Sequence, residues 1–273
     1  MAFSAMAALV VAIDDIFRLA IVIATALSFY PQLRKIVSRG DADGISLTYL
    51  LLSAVSAMEQ FTLYASRFIY HEDFPDSEVS TPRTVGDWLN LIQVSVLLLS
   101  TTILVAFATW YPPNRQSEKV LVTLGYLAFA YGSFLPVLPH FSKSYREHSQ
   151  WGLDMFFATH SYAVNWLVTM GVFPFSLFCQ WLLMLDQPVP QSLSVDGLAA
   201  QAVVFILTGI SWTWRMTTDK PTWVEWYEYV GYAAVDNLLF GIVQAVLYLF
   251  VLEAIGLAES PADAGETSPL LPN

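Results

Sequence analysis

Cysteine and charge are what this chain has least of. The single cysteine among 273 residues, Cys179, excludes an intramolecular disulfide and any multi-cysteine metal centre. Its neighbours Phe178 and Trp181 predict a buried structural thiol rather than a reactive one. Charged residues make up 13% of the chain, about half the share in soluble domains. There is no His-Glu-x-x-His, no glycine-rich phosphate loop, and the four histidines are scattered, so neither a metal nor a cofactor is expected. The net charge is −11 and no stretch gathers Lys and Arg into a basic stripe, which argues against nucleic acid as a partner. No Asn-x-Ser/Thr sequon marks a glycosylated loop. The N-terminus lacks the basic stretch of a cleavable signal peptide, so the first hydrophobic segment is expected to be an uncleaved insertion signal.

What the chain has instead is apolar length. It is 56% hydrophobic with a mean hydropathy of +0.53, arranged in runs near the ~20 residues that cross a bilayer as a helix. Seven spans are read, at 16–37, 45–66, 88–110, 120–138, 153–185, 197–214 and 229–252. The expected fold is therefore all-α, a polytopic membrane protein with seven transmembrane helices. The fifth span is too long for one straight crossing and is read as a single helix kinked at Pro174. Trp110 and Tyr111, Trp212 and Trp214, and Trp223, Trp226, Tyr227 and Tyr229 cluster at span ends, where amphipathic rings suit the headgroup layer.

Residues 1–252 form the expected transmembrane domain, and 253–273 an acidic tail rich in Ala, Ser and Pro that is expected to be disordered. Arg34, Lys35, Arg39, Arg115 and Lys119 face one side. Arg67, Arg83, Lys143, Arg146, Arg215 and Lys220 face the other, so the positive-inside rule is balanced. The first loop is the most basic short one and is placed in the cytosol, with a lumenal N-terminus and a cytosolic tail.

The stretch "SFYPQLRKIVSRGDADGIS", residues 28–46, combines unusual elements. Pro31 removes a helical donor and kinks a helix, which a bilayer tolerates only against protein or a water-filled cavity. Gln32 brings donors and an acceptor to the same place. Gly44 can take a backbone conformation other residues avoid, and Ser46 can cap the next helix. The combination reads as a hinge at the mouth of a polar cavity.

Pro-Gln, a short basic loop and Gly-Ile-Ser together resemble the signature of the PQ-loop family, which includes cystinosin-like and cationic amino acid exporters of lysosomes and vacuoles and is related to the SWEET sugar transporters. The resemblance covers about residues 28–64. It implies two three-helix bundles (about 16–110 and 153–252) joined by a linker helix (about 120–138), with the signature repeated around span five. Pro190-Gln191, in "PVPQSLSVDGLAA", is the expected second copy, although its loop is shorter and the Gly-Ile-Ser serine is missing. "SFLPVLPHFSKSYREHSQWGLD", residues 133–154, is a rival that would imply inverted repeats. Pro31, Gln32, Gly44, Pro190 and Gln191 are thus the expected hinge residues. Glu266 before Leu270-Leu271 is similar to an acidic dileucine signal, implying a sorting adaptor as a partner of the tail and a vacuolar or lysosomal membrane.

Polar groups within spans face the protein interior because lipid makes them costly. Ser53, Ser56, Gln60, Tyr64 and Arg67 form one stripe at helical spacing, with Glu59 beside it. Asp236 and Asn237 lie in the last span with Gln244 beyond them, Asn90 and Gln93 in the third, and His160, Ser161, Tyr162 and Asn165 in the fifth. Glu59, Gln60, Asn90, Gln93, His160, Asn165, Asp236 and Asn237 are the expected substrate- or proton-binding residues. Low dielectric favours a protonated carboxyl, which suits Glu59 and Asp236 to proton coupling. Asp14, Asp15 and Arg18 are read as a local interfacial pairing, and Trp88 and Trp166 as packing rather than substrate stacking.

Two functions follow. One is a transporter of a small polar metabolite, possibly an amino acid, coupled to protons. The other is an integral-membrane enzyme: small seven-span fungal cyclases of meroterpenoid biosynthesis are similar in length, with a Glu in an early span and an Asp in the last. There Glu59 and Asp236 would act as acids, but those enzymes show Trp-Glu where this chain has Met58-Glu59. Expected partners are a small-molecule substrate and the lipid bilayer, with a second copy of the chain as a further candidate.

Overall fold

The computed structural model describes residues 2–70, 79–134, 152, 155–156, 158–186, 191–215 and 222–259. Every regular element among them is helical. In chain order they are α1 (Ala2–Arg39), α2 (Leu47–Ile69), α3 (Val85–Trp110) and α4 (Gln116–Phe134). Then come α5 (Thr159–Asp186), α6 (Val195–Arg215) and α7 (Tyr232–Glu259). A helical turn, Trp223–Trp226, and a π-helical turn, Tyr227–Gly231, lead into α7.

The first helix is longer than the predicted span 16–37 and runs through Pro31 to Arg39, so the loop opens at Gly40 rather than beside Gln32. Gly40 and Gly44 both take positive φ, 71° and 80°, a region closed to most side chains. Ser46 then caps α2 by accepting from the Tyr49 amide at 3.3 Å. Both the Gly44 and the Ser46 expectations hold. Thr84 and Asp87 form a reciprocal capping box that starts α3.

From Thr159 to Asp186 the long fifth span is one continuous helix with Pro174 inside it. Two π-helical turns, Thr159–Val164 and Val168–Val172, precede the proline. The second ends next to Phe173-Pro174, so the turn before the missing donor is already wound wide. Cys179 is partly exposed, not buried as expected.

Helix α3 packs on both α1 and α2, and α7 packs on both α5 and α6. Across these sets α1 meets α6, α2 meets α5, and α4 lies against α2. Where α6 and α7 cross, Gly209 and Gly241 let the backbones close in. A Cβ on Gly209 would stand 2.7 Å from the Ala234 carbonyl, and one on Gly241 2.8 Å from the Ile206 amide. Among the described residues, four helices are long and apolar enough to cross a membrane: Val85–Trp110, Thr159–Asp186, Val195–Arg215 and Tyr232–Gly256. The predicted spans 16–37 and 45–66 fall on α1 and α2, and 120–138 on α4 as far as residue 134.

Candidate functional site

The polar stripe of α2 is buried along its whole length: Ser53, Ser56, Gln60, Tyr64 and Arg67 all lie inside, and Glu59 is fully enclosed. The side chains that meet it come from α5 and α7. The Nδ1 atom of His160 stands 2.8 and 3.0 Å from the two carboxyl oxygens of Glu59, so ring and carboxyl are hydrogen-bonded. Beside this pair, the Asn237 amide donates to Gln60 Oε1 at 3.0 Å. Glu59-Gln60 of α2 and Asp236-Asn237 of α7 are therefore neighbours, and the two carboxylates singled out in distant parts of the sequence sit in one buried region. Further along, Tyr49 and Gln244 join hydroxyl to amide at 2.7 to 3.0 Å.

Asp236 is enclosed as completely as Glu59. Its Oδ1 accepts from Thr169 Oγ1 at 2.6 Å, Thr169 also bonds the Tyr227 hydroxyl, and that hydroxyl donates to the Asn165 carbonyl at 3.2 Å. The other oxygen of Asp236 and both side-chain amide atoms of Asn165 are buried with no partner. Buried polar atoms are almost always satisfied, so three orphans at the ends of one chain of bonds single this region out as the candidate site. His160, Thr169 and Tyr227 lie within π-helical turns, Asn165 directly follows one, and Asp236 lies a turn into α7. Such widened turns recur at functional sites. Thr169 and Tyr227 were missed in the sequence because a π turn shifts the face that a 3.6-residue period assigns.

Arg67 reaches the Glu228 carbonyl at 2.8 Å and Ser161 Oγ at 3.3 Å. Trp166 packs against Tyr227 with ring centroids 4.4 Å apart, and Trp88 against Phe68 at 4.7 Å. Both tryptophans are thus engaged in packing, as expected. Asn90 and Gln93 form a different cluster: both accept from Arg215, at 3.1 and 2.6 Å, and Asn90 also from Arg18 at 3.3 Å. No hydrogen bond among the described residues joins them to the Glu59–Asp236 region. Arg18 pairs with Asp14 at 2.5 Å, the local interfacial contact that was expected.

One end of the molecule is closed by glutamines. The Gln32 amide donates to the Ser192 carbonyl at 2.8 Å, and its oxygen accepts from the Ser194 amide at 2.7 Å. Gln180 does the same in the opposite direction, donating to the Gly44 carbonyl and accepting from the Ser46 amide, both at 2.9 Å. Ser194 caps α6 by accepting from the Gly197 amide, as Ser46 caps α2. The step from 32 to 180, from 44 to 192 and from 46 to 194 is the same 148 positions, and it also carries Arg67 to Arg215. Each clamp glutamine thus holds the loop of the other half.

This places the counterpart of Pro31-Gln32 at Cys179-Gln180, inside α5 and eleven positions before Pro190-Gln191. Gln191 instead accepts from Arg39 at 2.6 Å at the surface. Pro190 and the sorting residues Glu266, Leu270 and Leu271 lie outside the described residues. The signal for the true counterpart was present in the sequence: a glutamine preceding a Ser-capped helix by the same interval in both halves. The proline that made the first copy conspicuous is absent from the second.

Apolar crossing helices around a buried polar interior define a multi-pass membrane protein. The family model of the PQ loop repeat matches residues 15–58, the part of the chain that holds Pro31-Gln32 and Gly44-Ile45-Ser46. The chain carries a PQ-loop repeat there, as those residues led us to expect. No curated protein and no solved structure matches the chain.

Proposed function

We propose that this protein is a proton-coupled transporter of a small polar metabolite, an amino acid being the class in view, in a vacuolar, lysosomal or other endomembrane. It would have seven spans, with α1–α3 and α5–α7 as two three-helix bundles and α4 as the linker. The observation that carries the reading is the buried set of unpartnered atoms on Asn165 and Asp236, lying between α5 and α7 with α2 of the other half beside them at Glu59–His160 and Gln60–Asn237. A transporter with its substrate site at mid-membrane needs such groups. The crosswise glutamines support the same reading, because hydrogen bonds to backbone contribute to closing one end of the interior. Opening that end would exchange these four hydrogen bonds for water, together with the other polar and apolar contacts of the same seam.

In this scheme Asn165 and Asp236 hold the solute, Thr169 and Tyr227 orient the Asp236 carboxyl, and the Glu59–His160 pair stores the coupled proton. Gln60 and Asn237 tie the two carboxylate helices together. Pro31 acts as the hinge of its half.

Purified protein reconstituted in liposomes is expected to show saturable solute flux that increases under a pH gradient. Asp236→Asn should abolish flux. Glu59→Gln should leave exchange while removing its dependence on the gradient. Absence of flux across a broad panel of solutes, with turnover of a lipophilic polyene epoxide instead, would overturn transport in favour of the cyclase reading.

A further inference from the structure

The end of the molecule away from the 40–46 loop holds a cluster that transport leaves unused. Arg215, the last residue of α6, donates through Nη1 to Gln93 Oε1 at 2.6 Å and Asn90 Oδ1 at 3.1 Å. Arg18 of α1 reaches the same Asn90 oxygen at 3.3 Å, so two guanidinium groups converge on one amide. Gly86 of α3 makes room for this, since a Cβ there would meet the Arg18 guanidinium at 2.8 Å. Asp14 neutralises Arg18. No carboxylate among the described residues pairs with Arg215, whose guanidinium lies over the Trp212 ring at 5.3 Å and whose Nε and Nη2 are shielded from water and without a hydrogen-bond partner.

Those two nitrogens are the side-on edge of the guanidinium, a pair of parallel donors that fits two oxygens of one anion. A cation removed from water with its best donor edge unused is costly. The helices also place an aromatic residue next to each arginine: Phe17 before Arg18 and Trp214 before Arg215. These rings stand 6.2 Å apart and are 37% and 53% exposed. Basic side chains between helices with exposed interfacial aromatics beside them suit a headgroup with its chains running alongside.

We propose that Arg215, assisted by Arg18 and positioned by Asn90 and Gln93, binds a phosphate oxyanion, and that its source is the headgroup of an anionic phospholipid lying against Phe17 and Trp214. A phosphodiester suits the site better than a carboxylate because its oxygens are arranged tetrahedrally rather than in one plane, and so can face two guanidinium groups that are not coplanar.

The test is native mass spectrometry and thermal unfolding of the full chain, titrated with phosphatidylglycerol, phosphatidylcholine or inorganic phosphate. Phosphatidylglycerol is expected to leave a retained adduct and raise Tm, phosphatidylcholine and inorganic phosphate to do neither, and Arg215→Gln to remove the effect. Arg215→Lys keeps the charge but loses the side-on pair, and is expected to bind phosphatidylglycerol about tenfold more weakly. It serves as the test if Arg215→Gln is not recovered folded. An equal Tm rise with inorganic phosphate would overturn the lipid as the source. Phosphatidylglycerol binding unchanged in both Arg215 variants would overturn the site.

Discussion

At the scale of single residues, Gln32 and Gln180 do work that neither sequence position announces alone. Each is buried, each makes one donor and one acceptor bond to a backbone across the interface, and each satisfies a loop that begins a helix. Truncation at either position leaves a carbonyl and an amide unpaired in a place water reaches poorly. With a net value of about 1 kcal/mol per bond, Gln180→Ala and Gln32→Ala should each destabilise the protein by about 2 kcal/mol. The comparison that matters is between them, by thermal unfolding in detergent. Similar losses support equivalent clamps, whereas a silent Gln180→Ala beside a damaging Gln32→Ala would mean that only the first copy closes the molecule. Asn165 is the opposite kind of residue. It is fully buried with its amide atoms unused, the state that the proposed solute site calls for.

At the scale of elements, the 3.6-residue period locates helices well and misplaces their ends and faces. The predicted spans 45–66, 88–110 and 197–214 lie within two or three residues of α2, α3 and α6. Apolar runs mark the bilayer directly, and caps such as Ser46 and Thr84 fix the starts. The Glu59 and Asp236 candidates were legible because a carboxyl in an apolar run needs a reason. Thr169 and Tyr227 were not, because each lies in a π turn and neither is rare in membrane helices. The second repeat was obscured by the replacement of its proline with Cys179, which drew attention to a surface Pro-Gln instead. Close helix contact is a further property that hydropathy does not record. Gly209→Ala puts a Cβ 2.7 Å from the Ala234 carbonyl and 2.8 Å from the Leu238 amide, backbone atoms that cannot swing away. It should cost about 1–3 kcal/mol as an overpacked contact. Gly132→Ala in α4 meets nothing within 4 Å and should be neutral or gain up to about 1 kcal/mol from helix propensity. Parallel thermal melts of the two variants separate a packing requirement at the α6–α7 crossing from a general dislike of substitution.

At the scale of the whole molecule, the two halves are held together at the loop end by more than the glutamines. Lys35 donates to the Leu193 carbonyl at 2.7 Å, the Ser192 amide to the Asp43 carbonyl at 3.0 Å, and Arg39 to both Gln191 and Ser192. Asp41 is the titratable centre of this seam. It accepts from the Ser192 hydroxyl and pairs with Arg39 at 3.4 Å, and the serine bond first, with the arginine as a further contribution, holds its carboxyl below the usual carboxylate value. A carboxyl with a lowered value in the folded state adds stability above its unfolded value, near about 4, and loses it as pH falls through the lowered one. Asp41→Asn should therefore lower Tm slightly at neutral pH, the effect being small because the pair is largely solvent-exposed. The gap to the unmodified protein should begin to close as pH falls below about 4 and vanish below the lowered value, where both chains carry a neutral group at position 41. A gap that stays constant across that range would show that the seam depends on the shape of the side chain and not on its charge, and that acid does not loosen this end through Asp41.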